Sequence, residues 1–294
     1  MKDDSGNLIT SQKEILELTL KHYKNVLRNR PIKNNLEDHQ KEREELANHR
    51  MEEASKNKTP DWTLSDLDDV LKDLKKDKCR DPFGYINEIF KPDVCGEDLK
   101  LAILKLMNNI KEKQEYPKCL EMCNITSILK KKGSRNKFSQ YRGIFRVVIF
   151  RSILERLIYN DEYYNIDSNL SDANVGARKH RNIRDNLFVV NAVLNSVKQG
   201  SEDALDLCAY DVDKCFDALW THECMNDIYD AGLKNDKLPL LFKMNQSAEV
   251  AVKTPSGTTR RLTINNIIMQ GTVWGSLLCA ATTDKLVKRV YEQD

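Results

Sequence analysis

The sequence predicts a mixed α/β fold, and three patterns predict it. Apolar residues recur at helical spacing through several blocks, as in Leu64, Leu67, Val70, Leu71 and Leu74. Short alternating runs, Ile125 to Leu129 and Tyr141 to Val148 among them, lie between those blocks and read as strands. From Asp206 to Leu219 (DLCAYDVDKCFDAL) the two patterns meet. Leu205 to Val212 is a short apolar run with Cys208, Tyr210 and Val212 on one alternating face, expected as a half-buried strand that bends into a helix. The bend carries Asp211, Asp213 and Asp217, with Phe216 set among them. Carboxylate oxygens so placed suit Mg²⁺, which takes one or two protein ligands, waters and substrate phosphates. The same residues also read as a helix from Lys214 capped by Asp213, with the other carboxylates in solvent. Both readings stand at this point.

Composition narrows the class. A chain of 294 residues has ample material for a core, in one large domain or two ordinary ones. Hydrophobic residues at 40% and charged ones at 31% fit a soluble, charge-rich protein. The net charge of +2 does not announce a nucleic-acid partner, so local clusters must carry that argument. No run approaches the roughly 18 apolar residues of a membrane span, and Met1, Lys2, Asp3 and Asp4 open no signal peptide. No membrane partner is expected, and an intracellular location, nucleus or cytoplasm, is. The 8 cysteines are scattered with no C-x-x-C pair. Cys119 and Cys123, the nearest neighbours, are expected on one helix rather than on zinc.

At the N-terminal end, Ser11 with Glu14 reads as a capping box ahead of the stripe Leu16, Leu20, Tyr23 and Leu27, and Pro31 ends that helix. Asn34 to Lys58 is almost wholly polar and reads as a solvated helix or linker, or as disorder. Residues 1–60 are accordingly expected as an N-terminal helix and polar linker, separate from residues 61–294. A new helix starts at Thr63 or Ser65, its Asp68-Asp69 pair favoured by the helix dipole. Lys75 to Gly84 (KKDKCRDPFG) is a basic, turn-rich loop before a short helix from Tyr85 to Phe90. Residues 98 to 113 form a further helix on Leu99, Leu101, Ala102, Ile103, Leu106 and Ile110, and Pro117 closes the block.

Between the strands Ile125 to Leu129 and Tyr141 to Val148 lies a cationic turn of Lys130, Lys131, Lys132, Gly133, Ser134, Arg135 and Lys137. Such a tip grips phosphates or is simply solvated, and the residues alone leave both open. A helix over Ile153 to Tyr159 and a polar connection from Glu162 to Asn174 follow. GARKHRNIRDN then crowds Arg178, Lys179, Arg181 and Arg184 ahead of a helix from Asp185 to Val197, with Leu187, Val190 and Val193 as its anchors. Cations without matching acids read as a nucleic-acid patch or as a solvated face.

Leu219 to Ala231 reads as helix. Ala248 to Thr254 and Thr258 to Ile264 form a hairpin around Pro255-Ser256-Gly257, where proline presets φ and glycine permits positive φ. It leads to IIMQGTVWGS, in which Gly271 and Gly275 let backbone approach something flat or bulky, then to a helix through Leu278, Leu286 and Val290. The chain holds no internal repeat and no low-complexity segment.

In order over roughly residues 64 to 292, these blocks resemble the reverse transcriptase domain of non-LTR (LINE-type) retrotransposons. KCRDPFGYINEIFK is similar to the family's first block, although the altered order of Pro, Gly and Asp leaves Asp81 and Gly84 without an assigned role. ITSILKKKGSRNKFSQYRGI resembles the second, the fingers hairpin, with Gly143 where the family has proline. ILERLIYN and NVGARKHRNIRDN resemble the third region. AYDVDKCFDAL resembles the palm motif Asp-x-x-x-x-Phe-Asp, and IMQGTVWGSLL the Gln-Gly block that follows, with Gly275-Ser276 in place of Ser-Pro. The family's aromatic-x-Asp-Asp box and thumb are not found before Asp294, so a truncated copy is expected: fingers plus most of a palm, in a right-hand polymerase fold with an antiparallel palm sheet backed by helices.

The resemblance implies an RNA-directed DNA polymerase, with an RNA template, a DNA primer and deoxynucleoside triphosphates as partners. It implies Mg²⁺ or Mn²⁺ as cofactor, in a two-metal reaction where a primer 3′-hydroxyl attacks the α-phosphate. It makes Asp211 the catalytic metal ligand, with the Val212 carbonyl as a second donor. Lys130 and Arg142 would contact the triphosphate, Phe216 would lie beneath the incoming sugar, and Gln270 and Gly271 would line the nucleotide site. Arg178, Arg181 and Arg184 would track the template backbone, while Asp213 and Asp217 would be structural. The alternative is a non-catalytic nucleic-acid-binding remnant of such a polymerase.

Overall fold

The computed structural model describes residues 8–27, 36–130, 136–200, 206–212, 215–265 and 267–291. Its helices are α1 (Gln12–Val26), α2 (Glu37–Lys56), α3 (Leu64–Lys72), α4 (Glu97–Lys113), α5 (Ile149–Asp167), α6 (Ile183–Lys198), α7 (Cys215–Ala218), α8 (Thr221–Asp230), α9 (Lys237–Gln246) and α10 (Val273–Tyr291). Its strands are β1 (Met122–Leu129), β2 (Tyr141–Val147), β3 (Ser247–Thr254), β4 (Gly257–Thr258) and β5 (Leu262–Asn265). The fold is mixed α/β, as expected. The sheet, however, is mixed rather than antiparallel: its order is β2-β1-β3-β4, with β5 also on β3, and β1 runs parallel to β3 from Met122↔Glu249 to Thr126↔Lys253. A parallel pair needs a long crossover, here the helices between β2 and β3.

The expected hairpin forms, its antiparallel register running from Cys123↔Val147 through Leu129↔Tyr141. Strand alternation therefore puts Cys123, Ile125, Phe145 and Val147 on one face with Ala248, Val250 and Val252, and Tyr23 of α1 packs among them in the smaller of two cores. Cys123 thus lies on β1, not on a helix with Cys119. The second return strand of the expected 248–264 hairpin is broken, because Thr259 ties both its N–H and its Oγ1 back to Val252.

The larger core is helical and centres on α5, whose Ile149, Ile153, Leu154, Leu157, Ile158 and Ile166 are all buried. This helix runs past Tyr159 to Asp167, through much of the stretch read as polar connection. Its Arg151, Glu155 and Glu162 are inside and paired: Arg151 Nε donates to Glu155 Oε1 at 2.9 Å, and Lys237 Nζ to Glu162 Oε1 at 2.8 Å. Burial makes such pairs expensive to break from one side, by about 3–5 kcal/mol.

The polar stretch after Asn34 is neither linker nor disorder over its described part. It forms α2, which docks on α8 and α9 through the thin stripe Ala47, Met51 and Ala54. Arg43 grips Glu223 through Nε and Nη2 at 2.7 and 2.8 Å, and Arg50 reaches Asp230 at 2.6 Å. Tyr23 of α1 packs in the smaller core, and Ala47, Met51 and Ala54 of α2 in the larger. The capping box expected at Ser11 is not formed, whereas Thr63 and Asp66 make one at the start of α3.

Two expectations fail together. α6 forms, but it buries none of its residues, and Leu187 and Val193 are exposed rather than anchoring. The run expected as a strand up to Val212 has no regular structure over 206–212, with Tyr210 93% exposed. An extended segment gains its backbone hydrogen bonds only from a neighbour, and none of the described strands pairs with this one.

Candidate functional site

One side of the molecule is assembled around Asp81. Its carboxylate is buried and accepts from the N–H groups of Phe83 (2.9 Å) and Tyr85 (2.8 Å) through Oδ1, and of Ile149 (3.1 Å) through Oδ2. The first two close an Asx-type turn; the third ties that turn to the N-terminus of α5, where the helix dipole favours a carboxylate. Gly84 completes the turn at φ +92°. Asn87 then donates to the Lys75 carbonyl at 2.7 Å and accepts from Arg146 Nη2 at 2.9 Å. The 75–90 loop is thereby fastened to β2. Neither Asp81 nor Arg146 was singled out from the sequence; the signal for the first was the Asp-Pro-Phe-Gly turn itself.

Alternation on β2 places Arg142, Ile144 and Arg146 on the face opposite Tyr23. Arg142 is exposed there, across from Ile128 on β1. Lys130 is also exposed, its N–H bonded to the Gln140 carbonyl at the end of the hairpin. Lys131, Lys132, Gly133, Ser134 and Arg135 lie outside the described residues. Burial lowers the pKa of the Arg146 guanidinium, against the pull of Asp81 and Glu88. Its Nε is buried without a hydrogen-bond partner. A half-buried cation in that condition is stabilised by any anion brought to the same face.

The Gln-Gly block joins this face. The Phe145 N–H donates to the Gln270 carbonyl at 3.0 Å, so Gln270 covers the outer edge of β2. Gly271, at φ +103°, sits so close that a Cβ would come 2.9 Å from Ile144 Cγ2. Thr272 caps α10, its Oγ1 accepting from the Gly275 N–H at 3.1 Å. Position 275 must be glycine, since a Cβ there would lie 2.2 Å from the Met269 carbonyl oxygen.

The acidic segment stands apart. Asp211 and Val212 are exposed and belong to no element. Asp213 and the side chain of Asp217 lie outside what is described. The Asp211 carboxylate and Val212 carbonyl are hard oxygens of the kind Mg²⁺ takes. Among the described residues, no group of three or more His, Cys, Asp or Glu side chains is placed to hold a metal. Phe216 on α7 is half-buried and packs against the helical core.

The arginine cluster divides. Arg178 is buried, and its guanidinium is fully engaged: Nε donates to Asp167 Oδ1 (2.7 Å), Nη1 to the Ser171 and Asn174 carbonyls (2.6 and 2.9 Å), and Nη2 to the Asp167 carbonyl (2.8 Å). It locks the turn after α5 and presents nothing to a template backbone. Lys179 sits over Tyr159, Tyr163 and Tyr164 at 4.6–5.4 Å. Arg181 pairs with the exposed Asp172 at 2.6 Å, and Arg184 is exposed at the start of α6. Among the described residues, no helix is long and apolar enough to cross a membrane. Neither the family models nor the curated proteins include a match to this chain.

Proposed function

We propose that the chain is the fingers and part of the palm of an RNA-directed DNA polymerase of the non-LTR retrotransposon kind, acting on an RNA template, a DNA primer and deoxynucleoside triphosphates with Mg²⁺ or Mn²⁺. One observation carries the reading: the first block, the second block and the Gln-Gly block, far apart in sequence, converge on β2. The Arg146–Asn87 contact ties the first block to β2, the strand that closes the second block, and the Phe145–Gln270 contact ties the Gln-Gly block to the same strand. In this reading Arg142 grips the triphosphate by its planar fork, with Arg146 beside it and Lys130 at the hairpin end. Gln270 and Gly271 form the wall against which the base lies. Arg181 and Arg184 meet the template, and Arg178 holds the turn that carries them.

A second reading has its own support. Asp211 is exposed in a segment that pairs with none of the described strands, which favours a nucleic-acid-binding remnant without catalysis. Primer extension on an RNA template, run with Mg²⁺ beside anisotropy binding of a labelled RNA–DNA hybrid, separates the two. The chain alone, without an aromatic-x-Asp-Asp strand, is expected not to extend; extension once such a strand is joined to it, abolished by Asp211→Asn, supports the polymerase. Binding without extension even then, weakening steeply as salt rises, supports the remnant. Salt-independent binding, or none at low salt, overturns both.

A further inference from the structure

Cys215 opens α7, four residues after Asp211, and Cys279 lies within α10, eight residues after Gly271. Their Sγ atoms are 3.1 Å apart, and both residues are half-buried rather than sealed in the core. A disulfide needs about 2.05 Å between sulfurs, so closure asks for a shift of about 1 Å at the side chains. Nothing in the polymerase reading uses either thiol.

We propose that Cys215 and Cys279 are an oxidative cross-linking site, with a peroxide as the oxidant. In the first step the Cys215 thiolate attacks one peroxide oxygen, the O–O bond breaks, and hydroxide leaves, giving Cys215 sulfenic acid. In the second the Cys279 sulfur attacks the Cys215 sulfur, the S–O bond breaks, the thiol proton goes to the departing oxygen, and water leaves. The two thiols lose two electrons and two protons, and one peroxide is reduced to two waters. Burial, with the Cys215 sulfur beside it, raises the Cys279 pKa and disfavours its thiolate, which suits a resolving thiol. The bridge would bind α7 to α10 and anchor the Asp211 segment, which pairs with none of the described strands, beside the helix that follows the Gln-Gly block.

The test uses the full chain, reduced, freed of reductant and exposed to graded hydrogen peroxide. It is then alkylated and mapped by tryptic peptides without reduction. The expected product joins the peptide beginning at Cys215 to the one containing Cys279, with a loss of about 2 Da. Fragmentation must place the bridge on Cys215 and not on Cys224, which shares its peptide and is buried. Cys279→Ser should leave Cys215 as a sulfenic acid trapped by dimedone, and cleavage near Asp211 by a trace protease should slow severalfold in the oxidised wild type only. A bridge through the exposed Cys208, a bridge between chains, or both thiols still freely alkylated after peroxide would overturn the proposal. The mapping on wild-type protein decides even where the variant fails to fold, and no outcome depends on polymerase activity.

Discussion

The ring of Tyr23 occupies the space that a side chain at position 143 would fill. A Cβ built on Gly143 lies 2.7 Å from Tyr23 Cε1 and 3.1 Å from Ile125 Cγ2, and the ring is held by the contact between Tyr23 Oη and Ser127 Oγ at 2.9 Å. This accounts for the glycine where the resembling family carries proline: here α1 lies across the hairpin, and the strand makes room for it. Gly143→Ala should therefore cost about 1–3 kcal/mol, as overpacking does, read as a lower urea midpoint at unchanged m-value. With Tyr23→Leu in the background the cost should shrink. Equal cost in both backgrounds would show that the ring is not what excludes the side chain.

Where elements were legible in the sequence, a strong local period coincided with a partner nearby. The hairpin of β1 and β2, the helix on Leu67, Val70 and Leu71, and the Gln-Gly turn into α10 are of this kind. The failures have a common cause, since a period reports amphipathicity and not whether anything covers the face. α6 has the pattern and buries none of its residues, and the 206–212 run alternates like a strand but pairs with none of the described strands. The converse holds for α2, whose contact stripe is two alanines and a methionine, too thin to stand out among charges. Arg178 looked like one of a set with Arg181 and Arg184, yet its fate was decided by Asp167, eleven residues back across a turn that periodicity does not describe.

The helical side should show opposed acid titrations. Burial disfavours the charged form of Glu223, but hydrogen bonds from Arg43 and Lys285 outweigh it and hold the carboxyl down at about 2. Its contribution is complete above the unfolded value near 4.5 and is lost as pH falls toward about 2. Glu223 is half-open to solvent, so screening reduces the gain to about 1–2 kcal/mol. Asp227 is pushed the other way, up to about 6, by burial that Lys285 does not fully offset. The Lys285 contact alone would suggest a lowered value; the weight of desolvation at a nearly inaccessible carboxylate, with Glu223 adjacent, argues for the raised one. Between the unfolded value near 3.8 and about 6 it should make stability decline as pH rises. Urea midpoints measured from about pH 2 to pH 7 should lose their acid limb in Glu223→Gln and their decline in Asp227→Asn. Parallel curves for both variants and wild type would contradict the assignment.

Arg178 and Arg184 should separate stability from binding. Arg178→Ala removes one side of a largely buried pair and leaves the Asp167 carboxylate without its strongest partner, at about 2–4 kcal/mol. Arg184→Ala, at an exposed site, should change stability by less than about 0.5 kcal/mol. If the start of α6 meets a phosphate backbone, Arg184→Ala should weaken RNA binding and lower the salt slope by about one. An Arg184→Ala protein that binds RNA like wild type at every salt concentration would remove this end of α6 from the interface.

The last prediction concerns Phe216, which the resemblance puts beneath the incoming sugar and the structure packs partly against the helical core. A ring that excludes a 2′-hydroxyl works by imposing a clash on the wrong sugar, adding little affinity for the right one. A ring that serves the core works by burial, and its truncation leaves a cavity. Half-burial allows both, so the two roles must be read in separate measurements. Phe216→Val should lose about 1–2 kcal/mol of stability, below the cost at a sealed core site, while Asp211→Asn, at an exposed site, should lose almost none. Binding of ribo- and deoxynucleoside triphosphates by the folded Phe216→Val protein is the second measurement. A gate predicts that the ribonucleotide gains affinity while the deoxynucleotide keeps its own. A loss of stability with an unchanged ratio of the two affinities would leave Phe216 as a core side chain alone.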